Sequence, residues 1–240
     1  ALASARMNQN TLLITSNIKN IADMPCNPSI GGPAKGIVVR EISALGGEMA
    51  NNIDKSFLQM KMLNTKKGPA VKSLRAQADK VVYQQEMIKT LQNQERLEIK
   101  EAMIEDIIIQ EDTVIGVIDE FGNKYYSKKV ILTTGTYLKA VILHGSNRIN
   151  SGPHDEKPSK NLSEKLKSYG FNIKRLKTGT PPRIEKSTID FEKAVIQPGD
   201  EEKNNFSVYK KKEYDILNQE PCYLIYTNEN THKIIKDNLD

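Results

Sequence analysis

The chain has 240 residues, 38% of them hydrophobic and 27% charged, and a formal net charge of +5. That length can bury the core of one large domain, or of one domain plus part of another, and the mild basicity admits a nucleic-acid partner without requiring one. Two cysteines far apart in sequence give neither a disulfide framework nor a metal-ligand spacing, and no apolar run is long enough to cross a membrane, which fits a reducing cytoplasm.

Residues 1–7 read as the second half of a helix with no cap residue and no secretory pattern. Thr11–Thr15 reads as a short apolar strand. In that order they fit the middle of a dinucleotide-binding βαβ unit, whose first strand and G-x-G-x-x-G turn would precede Ala1. Ser16 and Asn17 stand where such units place an acidic residue for a ribose hydroxyl. Residues 238–240 bring no closing element, so the chain reads as an internal fragment of a longer protein.

The stretch Cys26-Asn27-Pro28-Ser29-Ile30-Gly31-Gly32-Pro33-Ala34-Lys35-Gly36 holds one of the two cysteines, three of the fourteen glycines and two of the ten prolines. Glycines let backbone approach a ligand and leave N–H groups to face anions. A cysteine beside such a loop can occupy an electropositive pocket and lose its proton easily. The same residues also read as a Pro/Gly turn with a buried cysteine. Residue types alone leave both readings open.

Residues 37–50 predict a helix, with Ile37, Val38, Ile42, Leu45 and Met49 as its apolar stripe and Gly46-Gly47 as its break or end. Residues 70–91 carry a longer helical pattern that includes Val71, Leu74, Ala78, Val81, Val82 and Leu91. Glu98-Ile99, then 103–109, 114–118 and 124–126, predict a β-meander turning at Phe121-Gly122-Asn123. Residues 130–135 predict a buried strand that runs into a glycine turn. A short amphipathic helix is expected over 161–169, with Gly170 just past its cap, and a strand over 171–178. The polar stretch 185–218 reads as an inserted excursion, its Lys210-Lys211-Lys212 run as solvated surface. A strand over 223–227 and a helix over 231–239 follow.

Five motifs lie in order along the chain. They are Cys26 to Gly36 with Val39-Arg40-Glu41 and Ala44-Leu45-Gly46-Gly47; Asn64-Thr65-Lys66-Lys67-Gly68-Pro69-Ala70-Val71; Leu74-Arg75-Ala76-Gln77-Ala78-Asp79; Thr178-Gly179-Thr180-Pro181-Pro182-Arg183-Ile184; and Pro221-Cys222-Tyr223 with Thr227-Asn228-Glu229 and Thr231-His232. Over essentially its whole length the chain resembles the MnmG (GidA) family, flavoproteins that modify the wobble uridine of certain tRNAs. The resemblance implies an α/β fold: a Rossmann-like, glutathione-reductase-like FAD-binding domain with a β-meander and an inserted domain. Residues 1–184 would be a partial FAD-binding domain with its meander at about 98–129, 185–220 the insertion, and 221–240 the start of the following segment. The strand at 130–135 would re-enter the parallel sheet beneath the cofactor.

The resemblance further implies FAD as cofactor, NADH as reductant and methylenetetrahydrofolate as one-carbon donor. It implies tRNA as substrate, the GTPase MnmE as partner, a homodimer in the full-length protein, and a cytoplasmic location away from membranes. Cys26 would be the catalytic cysteine, attacking the uridine ring or moving a proton, helped by a helix end and by Lys35. A second family cysteine would lie beyond Asp240. Ile104 aligns with a residue whose backbone meets the adenine, and Ser159 with a serine that meets the cofactor. Lys66, Lys67, Lys72 and Arg75 around Gly68-Pro69, and Arg183 behind the stiff Pro181-Pro182, read either as phosphate or tRNA contacts or as solvated faces.

Cys222 reads as a small buried hydrophobe, and His144, His154 and His232 as scattered structural or surface residues. No metal site is expected. Three rivals stand beside this reading: a folate- and flavin-dependent tRNA uridine methyltransferase, against which the Cys26 to Gly36 motif argues; a non-catalytic RNA-binding fragment; and an FAD oxidoreductase acting on a small molecule.

Overall fold

The structure, a computed structural model, describes residues 1–209 and 214–239. The lysine run at 210–212 and Asp240 lie outside the described residues. In chain order the helices are α1 (Leu2–Arg6), α2 (Lys35–Ala44), α3 (Met49–Ser56), α4 (Lys80–Gln92), α5 (Leu162–Ser168) and α6 (Glu229–Lys236). The strands are β1 (Thr11–Thr15), β2 (Ser29–Gly31), β3 (Phe57–Leu63), β4 (Ser73–Ala78), β5 (Leu97–Glu101) and β6 (Ile104–Gln110). They continue as β7 (Thr113–Asp119), β8 (Lys124–Tyr126), β9 (Ile142–His144), β10 (Asn147–Ile149), β11 (Val195–Gln197) and β12 (Cys222–Leu224). Two compact units share them: Ala1–Asn27 with Lys80–Thr180, and Pro28–Asp79 with Pro181–Asp240. The boundaries expected at 184/185 and 220/221 do not coincide with this division, because 28–79 packs with 181–240.

In the first unit β1 and β5 pair in parallel, Thr11 opposite Leu97 through Thr15 opposite Glu101. Parallel neighbours need a crossover, and α4 supplies it by packing against β5. Glu98 and Ile99 therefore belong to this parallel pair and not to the meander. The meander itself is β6-β7-β8, antiparallel throughout, with Gly122 at φ +85° in the turn before β8. Ile107 and Val117 on its inner face pack with Leu162 and Leu166 of α5 as a buried cluster. The helix ends as expected: Gly170, at φ +90°, donates to the Lys167 carbonyl while Phe171 donates to the Leu166 carbonyl.

Two expected strands do not form. Residues 130–134 belong to no strand, and Ile131 is 77% exposed, although Val130 packs against the α5 cluster. Residues 171–178 behave alike: Ile173 packs against that cluster while Leu176 is 88% exposed. The physical reason is shared. A strand needs neighbours for its N–H and C=O groups, and among the described residues no strand pairs with either run.

The second unit is built on the antiparallel sheet β2-β4-β3. Its central strand falls inside the long helix expected over 70–91, which begins only at Lys80. Leu, Arg, Ala and Gln in 73–78 favour helix locally, but β4 is paired on both edges and buries Ser73, Leu74, Ala76 and Ala78. Tertiary pairing outweighs propensity there. The apolar stripe expected on α2 also faces the wrong way. Gly36, Val39 and Ser43 are buried, whereas Ile37, Val38, Ile42 and Leu45 are exposed. Close approach decides this: a Cβ on Gly36 would meet Ser73 Oγ at 2.7 Å and the Leu74 carbonyl at 3.0 Å. Gly46-Gly47 does end α2, so Met49 and Ala50 belong to α3.

Described residues of the excursion 185–218 pack onto this sheet. The outer edge of β3 is closed by loop groups, not by a strand: Met60 N–H donates to Gln219 Oε1 at 2.7 Å, Asp200 N–H donates to the Met60 carbonyl at 2.9 Å, and Glu220 N–H donates to the Leu58 carbonyl at 3.0 Å. An edge bonded in this way cannot recruit a foreign strand. The buried Asp54 carboxylate accepts the Phe206 and Ser207 N–H groups, each at 2.8 Å, and Phe206 is wholly buried. β11 and β12 pair antiparallel, and β12 is shorter than the strand expected at 223–227. α6 opens on an Asn228–Thr231 capping box and ends at Lys236. No helix among the described residues is long and apolar enough to cross a membrane.

Candidate functional site

Cys26 lies one residue before the end of the first stretch of the first unit, and its thiol donates to the carbonyl of Gly179. Two motifs more than 150 residues apart thereby meet: the Cys-Asn-Pro turn and the Thr-Gly-Thr loop. Cys26 is half-buried and is a free thiol. A nucleophile needs that partial access, which a fully packed core cysteine lacks.

Ile104 and Ser159 are also brought together. Ile104 opens β6, and the Ser159 hydroxyl donates to its carbonyl at 3.3 Å. Ser159 is 4% exposed. Its own backbone is held from both sides, because Ser159 N–H donates to the Tyr137 carbonyl at 3.0 Å and Lys139 N–H donates to the Ser159 carbonyl at 2.9 Å. The loop before it is tied elsewhere in the same unit. Asn17 Nδ2 donates to Glu156 Oε1 at 2.7 Å, and His154 Nε2 lies 2.9 Å from Asp23 Oδ2. The second tie ends three residues before Cys26, so the Ser159 loop is linked to the segment that carries the thiol. The same Asp23 lies 3.9 Å from Lys80 Nζ.

The expected basic contacts belong to the second unit. Lys35, the first residue of α2, donates to the Ser29 carbonyl at 3.0 Å, and partial desolvation pulls its pKa below that of free lysine. Lys66 and Lys67 sit exposed in the turn between β3 and β4, and Lys72 just before β4. Arg75 lies half-buried on β4, between Gly31 of β2 and Lys61 of β3. Arg183 is exposed beyond the two prolines. The structure gathers Arg75 with Lys61, and groups Lys66, Lys67 and Lys72 near one hairpin.

Sequence reasoning missed three residues. Lys61 stands directly opposite Arg75, a like-charge pair that a sheet tolerates at a cost. Its ammonium donates to the Pro198 carbonyl at 2.9 Å. Strand alternation over 57–63 and 73–78 would have paired the two, had 73–78 been read as a strand. Gly179 was noted only as part of its motif. Glu105, whose carboxylate accepts the Lys160 and Asn161 N–H groups, gave no signal, because an irregularity of the β6–β7 ladder aims it and no local pattern announces one.

The family model described as glucose inhibited division protein A matches residues 1–240. Among curated relatives, the tRNA uridine 5-carboxymethylaminomethyl modification enzyme MnmG of Geobacillus kaustophilus is 57% identical over 239 residues. That alignment takes in 100% of this chain and 38% of the relative. The enzyme of the same name from Ligilactobacillus salivarius is 54% identical over 243 residues, with the same coverage. The solved structure of Aquifex aeolicus GidA, in its form I crystal, is similar with a TM-score of 0.91 and 45% identity, covering 99% of this chain and 40% of that one. The chain thus spans well under half the length of the relatives it matches.

Proposed function

The chain belongs to the glucose inhibited division protein A family, and on that premise we propose that it is part of an FAD-dependent enzyme that modifies the wobble uridine of tRNA. The product is an aminomethyl or carboxymethylaminomethyl group on carbon five. The full-length enzyme works with the GTPase MnmE, as a homodimer, in the cytoplasm. Methylenetetrahydrofolate supplies the carbon, glycine or ammonium the amine, and NADH the reducing electrons. The observation that carries the reading is the meeting of Cys26 with Gly179, which joins two of the five motifs around one accessible thiol.

The residues present fit one end of the flavin cofactor. Ser159 offers a buried hydroxyl whose lone pairs still accept, beside strand backbone at Ile104. That is the chemistry an adenine and its ribose require. FAD supplies the redox chemistry when bound. The chain's own residues do the rest. Cys26, as thiolate, adds to the uridine ring next to carbon five or carries a proton there; sulfur addition would leave carbon five electron-rich toward a one-carbon electrophile. Lys66, Lys67, Arg75 and Arg183, with Lys35 and Lys61, provide cations for phosphate oxygens of tRNA.

Mass analysis of tRNA nucleosides tests this. Cells lacking the gene should lose the carbon-five aminomethyl uridines and regain them with the full-length protein. A missing simple methyl group would favour the methyltransferase reading, and unchanged nucleosides would end the proposal.

A further inference from the structure

Glu105 follows Ile104 at an irregularity of the β6–β7 ladder. Ile104 is opposite Asp119 and Asp106 is opposite Ile118, so Glu105 is an extra residue with no partner of its own. A bulge of this kind re-aims a side chain and interrupts the alternation of faces. Here it delivers the carboxylate to the 159–161 backbone. Glu105 Oε2 accepts the Asn161 N–H at 2.6 Å, the Lys160 N–H at 3.2 Å and the Ser159 hydroxyl at 3.3 Å, while Oε1 accepts the Lys160 N–H at 3.1 Å. A carboxylate has about four acceptor sites, enough for this set. The one hydroxyl hydrogen of Ser159 is shared between Glu105 and the Ile104 carbonyl. Its oxygen lone pairs are thereby left to accept from something else.

We propose that Glu105 is a positioning residue for the cofactor: its carboxylate sets the Ser159 hydroxyl and the 159–161 backbone against Ile104, and so fixes the adenine end of the flavin site. The inference rests on the reading of Ile104 and Ser159 as cofactor contacts. A residue that only capped the start of α5 would matter to folding and to nothing else.

The two roles separate in the full-length protein. Glu105→Gln, Glu105→Asp and Ser159→Ala are compared with wild type for affinity toward FAD and toward FMN, which lacks the adenylate half, and for the melting temperature of the apoprotein. Glu105→Gln should weaken FAD about tenfold, the loss expected for charge-assisted hydrogen bonds, while FMN affinity stays as in wild type and the weakened bonds to the Lys160 and Asn161 N–H groups lower apoprotein melting by only a few degrees. Glu105→Asp should recover part of that loss, because it keeps the charge. If Ser159→Ala weakens FAD while Glu105→Gln binds it normally, the positioning role is wrong and the cofactor reading survives. If Glu105→Gln lowers FAD affinity, FMN affinity and apoprotein melting together, Glu105 serves the fold and the proposal falls. Normal FAD affinity in both Ser159→Ala and Glu105→Gln would overturn the reading of Ser159 along with the proposal.

Discussion

Glu105 and Asp106 are consecutive on β6, yet both carboxylates serve the same helical segment. Glu105 takes the N–H groups of Lys160 and Asn161 ahead of α5. Asp106 takes Lys165 Nζ at 3.0 Å and the Tyr169 hydroxyl at 3.2 Å near its far end. In a regular strand they would point to opposite faces. The bulge removes that constraint, so one short stretch of β6 fixes both ends of α5 and the Ser159 loop beside it.

Gly31 and Gly32 both have positive φ, +109° and +98°, but differ in what surrounds them. A Cβ on Gly31 would meet the Leu74 carbonyl at 2.1 Å, Arg75 Cα at 2.8 Å and the Phe206 ring at 2.8 Å, while one on Gly32 meets nothing within 4 Å. Gly32→Ala should cost about 1–2 kcal/mol, the backbone strain alone. Gly31→Ala adds overpacking of a further 1–3 kcal/mol or so. Urea unfolding of the two variants should rank them in that order.

Exposure distinguishes two apolar residues of the first unit. Leu162 is 2% exposed and Ile131 77%. Leu162→Ala should lose about 2–5 kcal/mol through the cavity it leaves, and Ile131→Ala roughly 0.5 kcal/mol or less. A large loss at Ile131 in this chain would mean that 130–134 is buried after all.

Much of the fold was legible where local pattern and tertiary demand agree. β1, the meander, the α5–Gly170 stop and the Gly46-Gly47 break all rest on short-range signals. The errors lie where partners decide. Residues 73–78 are helix formers recruited as a central strand. Residues 130–134 are strand formers with no strand beside them among the described residues. On α2 the apolar stripe lost to Gly36, whose lack of a side chain lets the helix approach β4. Of the candidate site, the cysteine, the Ile104–Ser159 pair and the basic residues were named through motifs and resemblance. The Cys26–Gly179 contact, the role of Glu105 and the Lys61–Arg75 pairing depend on three-dimensional register, which no single segment encodes.

Acid should weaken the meander turn through Asp119. Burial alone would raise its pKa, but hydrogen bonds from Asn123 and Tyr125 side chains and from the Asn123 and Phe121 N–H groups outweigh it and hold the pKa down at about 2. A depressed carboxyl pKa stabilises the fold above the unfolded-state value and loses that contribution as pH falls through the folded one. The stability difference between wild type and Asp119→Asn should be flat above about pH 5 and shrink between about pH 4 and pH 2. A difference that stays constant down to pH 2 would show that the carboxylate charge contributes nothing there.

The most direct measurement concerns Cys26. In the full-length enzyme, Cys26→Ser keeps a near-isosteric donor for the Gly179 carbonyl but removes an acidic, nucleophilic sulfur. FAD content, tRNA affinity and the yield of carbon-five-modified wobble uridine are measured on the same preparation. The expected result is wild-type FAD content and tRNA binding with modification lowered by at least about a hundredfold, the separation of binding from chemistry that marks a reacting group. Modification at near the wild-type rate in Cys26→Ser would contradict the account and leave Cys26 as a packing residue.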